Sequence, residues 1–211
     1  MADTKLANIK MILREARVVP VIAMNDVNKA RRLASVLYSS GLPCAEVTFR
    51  TDNAASVIKA MREEIPGLTI GAGTVLSTDQ IDLAMDVKAD FLVSPGFNPE
   101  VVKYANKMGM PMIPGINNPS HAELAMSMGL NTLKFFPAEA SGGINMLKAL
   151  AAVYPIDFMP TGGIHSENVT SYLQLENVFC CGGTWMVPGD KLDNEDWQGI
   201  AELVRAVITI E

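Results

Sequence analysis

The chain has 211 residues, 49% hydrophobic and 19% charged, a balance that supports a buried core without disulfides or metals. Its formal charge of -6 offers no basic footprint for nucleic acid or an anionic membrane. An anionic ligand would need a local positive site rather than a general field.

Short apolar runs alternate with longer amphipathic segments from end to end. The pattern predicts a helix over 3–16, the strand RVVPVIAM at 17–24, a helix over 27–41 and the strand CAEVTF at 44–49. A helix over 53–65, the strand LTIGA at 68–72, a helix over 78–88 and the strand DFLVS at 90–94 follow. Next come a helix over 99–109, the strand PMIPG at 111–115, a helix over 120–129 and the strand TLKFF at 132–136. The series closes with a helix over 143–153, the strand IDFMP at 156–160, a helix over 166–175, the strand VFCCG at 178–182 and a helix over 194–208.

Eight strand–helix units in series are the count of a closed parallel barrel, so the expected fold is an α/β (β/α)8 TIM barrel with an additional N-terminal helix. No linker or composition shift divides the chain, and one domain over 1–211 is expected. The main alternative is an open doubly wound sheet. GAGTVL at 71–76 mimics a dinucleotide fingerprint, but Leu76 occupies the third glycine position and no acid stands at a strand end about 20 residues on.

Cys44, Cys180 and Cys181 are an odd set with two neighbours in an apolar run, unlike a secreted disulfide framework; they read as buried, reduced side chains. The first residues, MADTKLANIKMILREAR, are charged throughout and lack an apolar signal core. No apolar run approaches the roughly 18 residues of a membrane span. A cytoplasmic protein without membrane or nucleic-acid partners is expected.

In a parallel barrel, alternate strand residues point inward and the others pack under the helices. In TLKFF, Thr132, Lys134 and Phe136 share one face and Leu133 and Phe135 the other, so the apolar pair suits the helix layer and Lys134 points inward. In CAEVTFR, Glu46, Thr48 and Arg50 share a face opposite Ala45, Val47 and Phe49. A lysine, a carboxylate and an arginine thus converge at the strand ends where barrel enzymes place their chemistry. A buried ion-pair network with no catalytic role fits the same pattern. The glycine pairs tilt the balance: PTGGI at 160–164 and CGGTW at 181–185 follow the seventh and eighth strands, where this fold binds phosphate. Paired glycines expose N–H groups and admit an anion, although either pair alone could be only a turn. His121 and His165 have no partner ligands at metal spacing, so no metal is expected.

The motifs EVTFR, GAGTV, SPG, IPGI, KFFPAEA, PTGGI and GGTWMVP occur in the order found in the 2-keto-3-deoxy-6-phosphogluconate aldolase (KHG/KDPG aldolase) family. The chain resembles that family from about Val18 to Pro188. The resemblance implies a class I Schiff-base lyase with a (β/α)8 barrel, no metal and no cofactor, usually a homotrimer, whose partners are small molecules: pyruvate and a phosphorylated aldehyde. It makes Lys134 the Schiff-base residue and Glu46 the general acid/base. Arg50 and Thr74 would bind the pyruvate carboxylate, Pro95 would line that site through its backbone, and Phe136 would join the substrate-binding set. Thr161 would touch the hydroxylated chain, and Gly162, Gly163, Gly182 and Gly183 would cradle the phosphate. Thr184 departs from the family, which often has serine there, yet keeps a hydroxyl. Two alternatives stay open: an aldolase for the galactonate epimer, and a non-catalytic phosphate-sugar binding barrel, which would have no need of Lys134 and Glu46 together.

Overall fold

In a computed structural model, which describes residues 2–210, parallel strands alternate with helices along the chain. The order is α1 (Ala2–Ala16), β1 (Val18–Ile22), α2 (Val27–Ser39), β2 (Cys44–Thr48), α3 (Ala54–Glu64), β3 (Thr69–Gly73), α4 (Thr78–Asp86) and β4 (Phe91–Val93). Then follow α5 (Pro99–Met108), β5 (Met112–Ile113), β6 (Gly115–Ile116), α6 (Pro119–Ser127), β7 (Thr132–Phe135) and a 3₁₀ turn at Glu139–Ser141. The last elements are α7 (Gly143–Ala151), β8 (Asp157–Pro160), α8 (Val169–Leu173), β9 (Cys181–Gly183), α9 (Gly189–Asp193) and α10 (Trp197–Ile208).

The strands form a curled parallel sheet in two ladders, β5-β4-β3-β2-β1-β9 and β6-β7-β8. The expected strand at 111–115 is divided by Pro114, giving nine short strands among the described residues instead of eight. Proline has no N–H to donate, so a ladder through it is interrupted. Its carbonyl still accepts from Lys134 N at 2.9 Å, and the run changes partner there, from β4 on one side to β7 on the other. At the other junction β8 meets the last strand through the bridges Phe158↔Val178 and Thr161↔Gly182.

Helix starts are set locally. Asp26, Ser77, Asn98, Asn118 and Asp196 each accept a backbone N–H of the first turn, and Pro99 and Pro119 occupy first-turn positions where their missing donors cost nothing. Leu133 and Phe135 are fully buried on the helix side of β7, and Phe135 meets Phe158 edge-on at 6.2 Å. α1 lies at the N-terminal end of the sheet, where Leu13 is fully buried and Lys10 pairs with Asp157 at the start of β8. That end is closed, which leaves the C-terminal ends of the strands for a site.

Gly115 allows the close passage of two chain segments: a Cβ there would lie 2.3 Å from the carbonyl oxygen of Pro95. Because the obstacle is backbone, it cannot swing aside. Gly115→Ala is expected to destabilise the fold by about 1–3 kcal/mol in urea unfolding; an unchanged midpoint would show that these strands separate freely.

Candidate active site

Glu46 sits in β2 and is fully buried; Lys134 sits in β7 and is 5% exposed. Strand alternation turns both side chains inward, and Lys134 Nζ lies 3.3 Å from Glu46 Oε1. The carboxylate fits because it reaches along β3 to Gly73, the register partner of Thr48: a Cβ at that position would stand 2.2 Å from Oε1. Glu46 Oε2 is buried without a hydrogen-bond partner among the described residues. The ammonium also lies 5.3 Å from the centre of the Phe136 ring, within cation–π range.

Around this pair opens a cavity of about 310 Å³ at the C-terminal ends of the strands. Arg50, just beyond β2, lines it and makes no salt bridge among the described residues, so its charge is available to a ligand. Its Nε donates to Thr48 Oγ1 at 3.1 Å. Thr74 follows β3 in the left-handed region, with φ of 57°, an uncommon backbone state for a threonine. Pro95 and Phe136 complete the wall near the lysine.

The opposite wall belongs to β8, β9 and the glycine loops. Thr161 Oγ1 is buried and has no hydrogen-bond partner among the described residues; the absence of a side chain at Gly182 is what admits it, since a Cβ there would lie 2.3 Å away. Gly162 and Gly163 have φ of 99° and 79°, which glycine adopts without strain. The carbonyl of Gly162 accepts from Glu139 N at 3.1 Å and that of Gly163 from Asn168 Nδ2 at 3.0 Å. With the carbonyls held, the N–H groups of Gly163 and Thr184 have no acceptor among the described residues.

The twelve residues that the family resemblance assigns to the site line this one cavity: Lys134, Glu46, Arg50, Thr74, Pro95 and Phe136 on one side, Thr161, Gly162, Gly163, Gly182, Gly183 and Thr184 on the other. Two lining residues were not assigned a part. Val21 lies beside Glu46 in the register of β1 and β2, an apolar residue that pattern alone cannot separate from core. Thr48 was readable, since it shares the inward face of Glu46 and Arg50.

The remaining reactive side chains lie elsewhere. Cys44, Cys180 and Cys181 are free and buried, and burial pushes the Cys44 thiol up to about 12, so it stays protonated and unreactive. His121 bonds Asn118 at the start of α6, and His165 accepts from Glu167 N; neither lines the cavity. Among the described residues, no cluster of three or more His, Cys, Asp or Glu side chains is placed to hold a metal, and no helix is long and apolar enough to cross a membrane.

The site thus joins a buried primary amine, a carboxylate within reach of it, a free guanidinium and unpaired N–H groups. Such a set is suited to imine chemistry on a carbonyl compound carrying anionic groups at both ends. The chain is 45% identical over 199 residues to 2-dehydro-3-deoxy-phosphogluconate aldolase of Haemophilus influenzae, covering 94% of each. It is 40% identical over 198 residues to KHG/KDPG aldolase of Escherichia coli K12, covering 93% of each. Its fold matches, at a TM-score of 0.91 and 40% identity, the crystal structure of KDPG aldolase from Legionella pneumophila with pyruvate captured at low pH as a covalent carbinolamine intermediate; the match covers 94% of this chain and 97% of the other. The family model for KDPG and KHG aldolases matches residues 9–203, and with these relatives it shows that the chain belongs to the KDPG and KHG aldolase family.

Proposed function

We propose that the protein is a metal-independent class I aldolase that cleaves 2-dehydro-3-deoxy-6-phosphogluconate to pyruvate and glyceraldehyde 3-phosphate, and 4-hydroxy-2-oxoglutarate to pyruvate and glyoxylate. The observation that carries this reading is the contact of Lys134 Nζ with Glu46 Oε1, 3.3 Å apart and buried in the wall of a substrate-sized cavity. A purely binding barrel gains nothing from placing those two groups together.

The amine must shed its proton before it attacks, and Glu46 is the adjacent acceptor. The nitrogen lone pair adds to the C2 keto carbon; Glu46 then gives the proton it took to the carbinolamine hydroxyl, which leaves as water, so the iminium forms on Lys134 and the carboxylate is regenerated. Glu46, directly or through a water, takes the proton of the C4 hydroxyl. The C3–C4 bond then breaks: its electron pair moves into the iminium to form an enamine, and the aldehyde leaves. Glu46 returns that proton to C3 of the enamine, which re-forms the iminium, and hydrolysis of the iminium releases pyruvate and restores the lysine. The free guanidinium of Arg50, with Thr74, binds the carboxylate and fixes the keto carbon against Lys134.

The phosphate half belongs to the other wall, where the unpaired N–H groups of Gly163 and Thr184 supply donors, and the strand end at Gly182 and Gly183, bare of side chains, lets the ligand approach. Thr161, with its buried and unpartnered hydroxyl, faces the hydroxylated chain between the two ends and favours the gluconate over the galactonate epimer. The break at Pro114 and the bridges between β8 and the last strand fit one closed (β/α)8 barrel, capped by α1 and forming a single domain. Exposed Leu76, Leu83, Met108, Leu124 and Met126 on three successive units offer the apolar surface that a homotrimer would cover. Three free thiols accord with a reducing, cytoplasmic setting.

Pyruvate with borohydride should add a reduced adduct to Lys134; peptide mapping that places it on Lys148 or another helical lysine would remove the assignment. Glu46→Gln should still form the adduct, slowly, while turnover falls by about 10²-fold or more. Near-normal turnover would mean that another group moves the protons. Extended EDTA treatment should leave activity intact; activity lost and then restored by zinc or magnesium would require a metal mechanism.

The phosphate assignment has its own test. A side chain at Gly163 meets both a positive φ and the Cγ of Glu139, 2.6 Å from the position of a Cβ, so Gly163→Val must displace the loop. The variant should lose far more activity on the phosphorylated substrate than on 4-hydroxy-2-oxoglutarate, with pyruvate trapping intact. Equal losses on the two substrates would return these glycines to the role of turns.

A further inference from the structure

Thr48 is the last residue of β2 and is 2% exposed. Its hydroxyl is committed twice: it donates to the carbonyl of Ile22 at 3.0 Å and accepts from Arg50 Nε at 3.1 Å. A carbonyl cannot donate, so the single hydroxyl hydrogen is fixed towards Ile22. The oxygen lone pairs are then presented to the arginine. The backbone on either side is also tied down, since Phe49 N donates to the carbonyl of Gly73 at 2.7 Å and Thr51 Oγ1 donates to that of Met24 at 3.0 Å.

We propose that Thr48 is a positioning residue for Arg50, holding the guanidinium so that its two Nη groups face the substrate carboxylate end-on; this rests on the role of Arg50 given above. An arginine can grip a carboxylate side-on, through Nε and one Nη, or end-on, through both Nη groups. Occupation of Nε by Thr48 closes the side-on mode. It also fixes the plane of the fork, because rotation about the Cδ–Nε bond would break the contact. A long side chain beside an open cavity therefore reaches its ligand already oriented, and less of its rotational freedom is lost on binding. The buried amine needs such an arrangement, since the keto carbon must arrive within bonding reach of a nitrogen whose own position is fixed by strand β7.

The test is the pyruvate dependence of borohydride trapping on Lys134. Thr48→Val keeps the shape and removes the hydroxyl; it should raise the half-saturating pyruvate concentration about tenfold, with trapping at saturation retained. Thr48→Ser should restore saturation close to that of the natural protein. For the full substrate, KM should rise while kcat stays within about twofold, because the amine and the carboxylate are untouched. In an Arg50→Ala background, Thr48→Val should add nothing, since the groups act as one unit. Thr48→Ala serves as a second hydroxyl-free variant if the valine protein fails to fold. Unchanged pyruvate saturation in Thr48→Val, beside a clear defect in Arg50→Ala, overturns the inference and leaves the role of Arg50 standing. Equal effects of Thr48→Val with and without Arg50 overturn it too, by showing that the hydroxyl acts through the fold. If Arg50→Ala saturates normally, the carboxylate-binding role of Arg50 falls, and the positioning role with it.

Discussion

The contact between Lys134 and Glu46 is the constraint around which the interior is arranged. Removing two ionisable side chains from water costs several kcal/mol per charge, and their mutual attraction repays this only in good geometry with the remaining lone pairs satisfied. Here one carboxylate oxygen lacks any partner among the described residues. A pair retained for stability alone would be better replaced by packed apolar side chains, and this interior has ample means to do so. Phe91 and Met159, at the strand level of Glu46 and Lys134, are both fully buried.

Accommodating two long polar chains in a small interior requires small neighbours, and the strands supply them as glycine. Gly73 yields its side-chain volume to Glu46, Gly115, the register partner of Lys134, yields its own to the Pro95 backbone, and Gly182 makes room for Thr161. Gly71 does the same for the ring of Phe91, which would stand 2.4 Å from a Cβ. Glycine in a strand weakens it, so each of these residues exchanges local propensity for space. The loss is made good at the other end of the sheet. There α1 packs Ile9 and Leu13 into the core, Lys10 pairs with Asp157, and Arg62 pairs with Asp90, whose carboxylate also accepts from Ile70 N at 2.7 Å. Stability and chemistry thus occupy opposite ends of the same strands.

How much of this was legible in the sequence follows from the length of each signal. Alternation in CAEVTFR and TLKFF placed Glu46, Arg50 and Lys134 on inward faces, because a period of two holds over even four or five residues. The paired glycines pointed to the correct end of the strands, although only Gly162 and Gly163 form a loop there, while Gly182 and Gly183 belong to β9. Helices α8 and α9, at five residues each, are shorter than two turns; the first was expected over a longer span and the second not at all. A segment so short shows no helical period, and its form is decided by what it packs against. The 3₁₀ turn at Glu139–Ser141 escaped for the same reason. Pro114 was visible as a residue but not as a boundary, because its effect depends on which neighbours flank the strand. Thr48 was seen to face inward, yet its bonds to Ile22 and Arg50 join three positions whose proximity only the folded chain supplies.

The two walls of the cavity differ in the kind of group they present, and the difference bears on specificity. The wall of β2, β3 and β7 presents side chains, each fixed by a neighbour: Glu46 by Lys134 and the space at Gly73, Arg50 by Thr48. The wall of β8 and β9 presents mostly backbone, with carbonyls held from behind by Glu139 N and Asn168 Nδ2. Beneath it the fully buried Tyr172 donates to the Glu139 carboxylate, and burial followed by that carboxylate pushes the phenol upward, so the donor proton is retained. In the proposed reaction the first wall handles the pyruvate half, common to both substrates, and the second meets the part that differs between them. On that reading the chemistry depends on a few side chains, each held by a neighbour, whereas tolerance for the distal half depends on a glycine loop resting on the Glu139–Tyr172 pair. A change in that support alters which aldehyde is released more readily than it alters the bond that is broken.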